Sequence, residues 1–277
     1  MAYGIVNVPG VTITELNEVK TIANGLYTGK DLTMVFATEI SKFSDPWAWV
    51  KNRIQNGNYA GINVGDYIPI TINTETVEMQ VAGVDVYTGA TDNGLGHHID
   101  FISRDCYDQT YWNGSEGSED NNGNADSPYP YMACYLYRWL SELTTALPDG
   151  LLKHITPKRA RLETRYSKYT GPLTESENAS WQDIGQLWVP SEYEVFGACV
   201  WGTKGYSVGS AVQYPIFTVL MNRIKRLGKN GDVCDWWLLN PTSGSHEYAC
   251  EVNRDGSPNG INFTSSYCGV PICFRIA

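Results

Sequence analysis

Apolar and polar positions alternate along two neighbouring stretches, 66–73 (DYIPITIN) and 76–86 (TVEMQVAGVDV), and the polar break between them predicts a β-hairpin. A third strand is predicted at 98–103 (HIDFIS), beyond the glycine-rich turn at 89–96. The period changes at 47–55 (WAWVKNRIQ), where Trp47, Val50 and Ile54 fall on one side of a short helix opened by Asp45-Pro46. It changes again at 131–147 (YMACYLYRWLSELTTAL), whose helical spacing runs to the stop Pro148-Asp149-Gly150 and predicts one amphipathic helix packed on a sheet. Residues 150–158 predict a second short helix, and 162–169 a returning strand. The last third carries short apolar runs at 186–189, 216–227 and 235–239 and a final strand at 270–276, separated by turn residues. Together these give an α+β domain of short helices, small antiparallel sheets and much irregular structure.

Residues 1–45 differ in pattern. Leu16, Val19 and Ile22 recur at helical spacing within 11–23, and the segment reads as an N-terminal attachment or oligomerisation arm, with the main domain spanning 46–277. Residues 113–127 (NGSEGSEDNNGNADS) are too polar to bury and predict an exposed loop. Asp120, Asn122 and Asn124 there approach a calcium-loop pattern, but Ala125 stands where the loop needs glycine and no glutamate follows at the required distance.

Composition narrows the function classes. The net charge is −10, which disfavours nucleic acid, because affinity for phosphate comes largely from clustered Lys and Arg. The basic cluster Lys153, Lys158, Arg159, Arg161 and Arg165 reads as a solvated face. The N-terminus lacks the charge and apolar run of a secretory signal, and no stretch reaches the roughly 18 apolar residues of a membrane span. Folding in the cytosol and no membrane insertion are therefore expected. The 7 cysteines are odd in number and contain no CxxC pair, so reduced, buried thiols are expected rather than a disulfide framework.

Four ordered segments carry a resemblance: 187–197 (LWVPSEYEVFG), 213–217 (QYPIF), 235–241 (DWWLLNP) and 269–276 (GVPICFRI). Together they resemble a C-type-lectin-like domain family of phages and gut bacteria, related to the variable proteins of diversity-generating retroelements and to formylglycine-generating enzymes. With 62–67 (INVGDY), 81–85 (VAGVD) and the 131–147 helix, the likeness covers about residues 47–277. The chain departs from that pattern at Leu239-Asn240, where relatives commonly carry Arg-Ser, and at Pro271, where an Arg is common. These losses put a shared anion-binding or salt-bridge role in doubt.

Trp236 and Trp237, adjacent on a strand, should point to opposite faces, one ring in the core and the other, taken as Trp237, lining the surface. Pro241 should end the strand and start a loop over 242–248, with turns at Asp255-Gly256 and Asn259-Gly260. Asn240, Ser243, Ser245, His246, Tyr248, Asn253, Asn262, Ser265 and Tyr267 supply the short hydroxyls, amides and Tyr rings of an adaptable binding surface. The alternative reading is an ordinary polar loop. By the resemblance, these positions form the ligand face.

Catalysis has only fragments to draw on, so no enzyme, cofactor or metal is expected. Glu192 and Glu194 read as groups that cap a turn or hold Arg side chains rather than a catalytic pair. The surroundings of Cys268 and Cys273 do not match the copper-binding cysteines of formylglycine-generating enzymes. His97, His98 and His246 lack partners at metal-ligand spacing, and the sugar-binding tripeptides of calcium-dependent lectins are missing. The resemblance implies a virion protein made in the bacterial host cytoplasm: a phage tail-associated adhesin that binds a host surface protein or glycan. A capsid decoration or head-fibre protein using the fold for assembly is the alternative. Other virion proteins would be partners, and a homo-oligomer, by analogy a trimer, is the expected state.

Overall fold

Three aromatic rings fix the first layer of the molecule. Trp47 meets Phe101 and Phe274 edge-on, each at 5.3 Å, and the two phenylalanines stack at 5.2 Å. Trp47 belongs to the helix Pro46–Gln55, which starts as predicted: Asp45 caps the Ala48 N–H and Pro46 occupies the first turn. The computed structural model describes residues 28–114, 123, 127–165, 179–205 and 210–277.

The predicted hairpin is β1 (Tyr67–Ile72) and β2 (Glu75–Val84), antiparallel around Asn73-Thr74, with Asn73 in the left-handed region at φ 53°. β3 (Ile99–Ser103) adds to β2, and β4 (Asp108–Thr110) follows closely. Next come β5 (Arg159–Glu163), paired with β6 (Ala179–Asp183), and β7 (Lys225–Arg226), paired with β8 (Val233–Cys234). The C-terminal strands are β9 (Trp236–Pro241), β10 (Tyr248–Val252), β11 (Pro258–Phe263), β12 (Cys268–Val270) and β13 (Cys273–Ile276). They assemble into a four-stranded sheet, β1-β2-β3-β13, and a five-stranded sheet, β11-β10-β9-β12-β4. The result is α+β, with small sheets and short helices. Among the described residues no helix is long and apolar enough to cross a membrane.

Three predicted elements change. The strand at 270–276 is broken at Pro271, which has no N–H for a ladder, so β12 joins one sheet and β13 the other, linking the two. The helix at 131–147 splits into Pro130–Ala133 and Tyr135–Leu143 plus a 3-10 turn, Thr144–Ala146. Cys134 between them is extended, and its sulfur caps Tyr137 N–H at 3.4 Å, which restarts the helix. Asn259-Gly260 lies inside β11, whereas Asp255-Gly256 does turn, with Gly256 at φ 82°. The basic cluster is also not one solvated face, since Lys158 and Arg165 are buried.

Of the expected arm, residues 28–45 rest on the domain. Leu32 is buried, Phe36 lies 5.0 Å from Trp49, and Asp31 bridges to Tyr67. The helix expected at 11–23 and the calcium-like pattern at 120–124 lie outside the described residues.

Candidate functional site

The Trp236/Trp237 pair divides as alternation requires, but both rings are fully buried, because the five-stranded sheet is covered on its two faces. Trp236 stacks on Phe217 at 5.9 Å and donates to Arg223 O at 2.8 Å. Trp237 donates to Thr110 O at 2.8 Å. The expected surface ring of Trp237 is therefore a core ring, and a correction follows for Asn240 as well. It is buried, and its Oδ1 accepts from Glu192 N–H at 2.8 Å, so its amide is structural.

Glu192 and Glu194 explain the positioning of the neighbouring loop. Ser191 and Glu194 form a capping box at the helix Glu192–Phe196, the turn-capping role read from the sequence. Glu192 then accepts from Val200, Trp201 and Gly202 N–H at 3.0, 3.0 and 2.8 Å. Burial raises its carboxyl above the ordinary range even though these N–H groups favour the anion. One buried carboxylate thus fixes the strip that presents Val200 and Trp201, both exposed. Trp201 lies over Gly260, where any Cβ would come within 2.4 Å of its side chain, so β11 needs glycine for this contact.

The remaining predicted residues lie along β10, β11 and their loops, in two groups. Ser243, His246 and Tyr267 are exposed. Ser245, Tyr248, Asn253, Asn262 and Ser265 are half-buried, and several spend their polar atoms internally. Asn262 donates to Glu251 at 2.6 Å, joined there by Asn259 at 2.7 Å and the Cys268 thiol at 3.1 Å. Asn253 donates to Ser257 at 3.1 Å, and Ser245 Oγ accepts from Glu247 N–H at 3.1 Å. Burial raises the Glu251 carboxyl against those donors.

Sequence reasoning missed the apolar part of this surface. Ile261 (65% exposed) and Phe263 (40%) project two residues apart from β11, the edge of its sheet. Tyr248 meets Phe263 at 4.9 Å, and Tyr111 meets the exposed Tyr267 at 4.2 Å. The signal was present as the alternation Gly260-Ile261-Asn262-Phe263, but the Asn-Gly pair suggested a turn.

A separate cavity of ≈ 720 Å³ lies between β2 and the segment 221–229, lined among others by Glu78, Arg104, Tyr107, Asn222 and Arg226. None of the predicted site residues lines it. Among the described residues no group of three or more His, Cys, Asp or Glu could hold a metal. His97 and His98 serve the turn instead: His97 Nδ1 lies 2.7 Å from Asp85 Oδ2, and His98 Nε2 accepts from Tyr87 N–H at 3.0 Å.

No curated protein and no solved structure matches the chain. Residues 101–277, more than half of the sequence and containing Trp201, β9 to β13 and the whole exposed edge, match a domain of unknown function, and the chain is therefore a member of the DUF6273 family.

Proposed function

We propose that this protein is a non-enzymatic recognition module with a C-type-lectin-like fold, carried on a phage particle as a tail-associated adhesin. Its binding face is the open edge at β11 with the loops 242–247 and 264–267. The observation that carries the reading is the exposure of Ile261 and Phe263 on an edge strand, with Trp201 over Gly260 of the same strand and Tyr267 exposed in the segment that follows it, within a chain that buries both members of its Trp pair. Unpaired strand edges with large exposed apolar residues attract other chains, and natural proteins usually blunt them with charge. Here the loop that follows β9 adds exposed polar Ser243 and His246 to these apolar and aromatic residues, the composition of a contact surface. The four ordered sequence segments supply the lectin-like and phage setting.

The test uses the full chain, fluorescently labelled, on cells of the bacterium that the phage infects. Saturable binding is expected, with at least a tenfold loss on Ile261→Asp or Tyr267→Ala and no change in melting temperature. Absence of cell binding, together with immunogold label on capsids rather than tails, would instead assign the face to capsid decoration or head-fibre assembly.

A further inference from the structure

The ≈ 720 Å³ cavity between β2 and the segment 221–229 stands apart from the β11 face, and a length of open strand edge forms part of its wall. β2 outruns β3. Their pairing ends at Met79 and Ser103, after which the chain bends away with Arg104 N–H still bonded to Glu78 O at 2.9 Å. Main-chain groups along a paired strand point alternately to its two sides. Glu78 turns its carbonyl toward Arg104, so Thr76, two residues earlier, turns its N–H and carbonyl the same way, off β1 and toward the space that β3 has left. Thr76 lines the cavity, and among the described residues nothing pairs with either group.

Charge is sorted along the same edge. At the Glu78 end two cations share one carboxylate: Arg104 Nε lies 2.5 Å from Glu78 Oε2, and Lys229 Nζ lies 3.3 Å from Oε1. The trio carries one positive charge in excess. Arg104 Nη2 also donates to Thr28 O at 2.8 Å, which steadies the guanidinium. At the hairpin end the lining includes Glu75 and Asp108, both exposed and neither with a cationic partner among the described residues. Asn73 donates there to the Tyr107 hydroxyl at 3.1 Å and ties the hairpin turn to the far wall. Asp105 and Arg226 line the cavity as well and offset each other in charge, the carboxylate accepting the Arg226 main-chain N–H at 3.0 Å. Glu75 and Glu78 are three residues apart, about 10 Å of extended chain.

A cationic end, an anionic end and a free donor and acceptor between them match a short peptide with both termini free. We propose that this cavity binds such peptides, about four residues long, extended and parallel to β2. The terminal carboxylate lies against Arg104 and Lys229, and the terminal ammonium against Glu75 and Asp108. Between them the Thr76 N–H and carbonyl bond the peptide main chain as a further strand would. Recognition through termini and main chain leaves side-chain identity little weight.

The full chain is titrated with tetra-alanine by calorimetry, and one saturable site is expected. Amidating the peptide carboxylate or acetylating its amine should each weaken binding by about tenfold or more. N-methylating the internal amides, which removes the donors for Thr76 O, should do the same. Lys229→Ala, at an exposed side chain, should weaken tetra-alanine but not its amide. Glu75→Gln should weaken tetra-alanine but not its acetylated form. Absence of saturable binding to the native chain, or equal affinity for tetra-alanine and the doubly blocked peptide, would overturn the proposal, and neither result depends on a variant folding. Free alanine binding as tightly as tetra-alanine would overturn it too, because a single residue cannot span the two charged ends.

Discussion

Arg275 grips Asp100 through two hydrogen bonds, Nε to Oδ1 at 2.6 Å and Nη2 to Oδ2 at 2.8 Å, and so ties the last strand to β3 inside the core. Both side chains are buried, and Arg275 also stands over the Tyr87 ring at 4.8 Å. A planar guanidinium on a carboxylate satisfies two donors at once, the geometry in which a buried pair is tolerated. Lys158 and Glu194 form a second buried pair nearby, shared with the Tyr87 hydroxyl.

Removing one partner of the first pair should therefore be costly. Asp100→Ala leaves the Arg275 charge buried without its carboxylate and should destabilise the fold by about 3–5 kcal/mol, read as a lower urea midpoint with little change in slope. The pair also sets a pH dependence. Burial alone would raise the Asp100 carboxyl, but the charge and hydrogen bonds of Arg275 outweigh it and hold the group below the usual carboxylate range. Its contribution is therefore complete above the unfolded value near about 3.9 and is lost as pH falls through the lower folded value. Urea midpoints should show this acid loss in the native chain and not in Asp100→Ala.

Trp237 and Tyr267 should separate stability from binding. Trp237→Ala empties a fully buried site and strands the Thr110 carbonyl, so it should cost about 3–5 kcal/mol and lower the melting temperature. Tyr267→Ala, at an exposed position, should change stability by no more than about 0.5 kcal/mol while reducing cell binding. Equal thermal shifts for the two would contradict the burial pattern.

Glu192 should control Trp201 from a distance. Glu192→Ala withdraws the acceptor from three backbone N–H groups, each of which costs about 1–3 kcal/mol when left buried and unpaired. Beyond lower stability, the strip at 200–202 should loosen, seen as a red-shifted Trp201 emission in a comparison with a Trp201→Phe control. Glu192→Gln keeps an acceptor oxygen and should fall between the two.

Gly269→Ala should be destabilising for a reason local to the sulfurs. The added methyl group meets Cys106 and Cys234 at under 3.0 Å, and such overpacking costs about 1–3 kcal/mol. In a Cys234→Ala background the penalty should shrink, because one of the two obstructing atoms is gone. Strict additivity in a double-mutant cycle would contradict the contact.

The sequence by itself determined the elements whose cause is local. The β1/β2 hairpin follows from two-residue alternation around Asn73-Thr74, the helix at 46–55 from Asp45-Pro46, and the capping box from Ser191 and Glu194 three residues apart. Alternation also placed Trp236 and Trp237 on opposite faces. Only the tertiary structure decided that both faces are covered, since periodicity reports the direction of a side chain and not what lies above it. For the same reason Asn240 and Asn262 looked available, although Glu192 and Glu251 engage them across 48 and 11 residues of chain. The exposed edge of β11, the sulfur pair over Gly269 and the Asp100 to Arg275 tie all join residues distant in sequence. Strand order and sheet packing, which no local pattern encodes, bring them together.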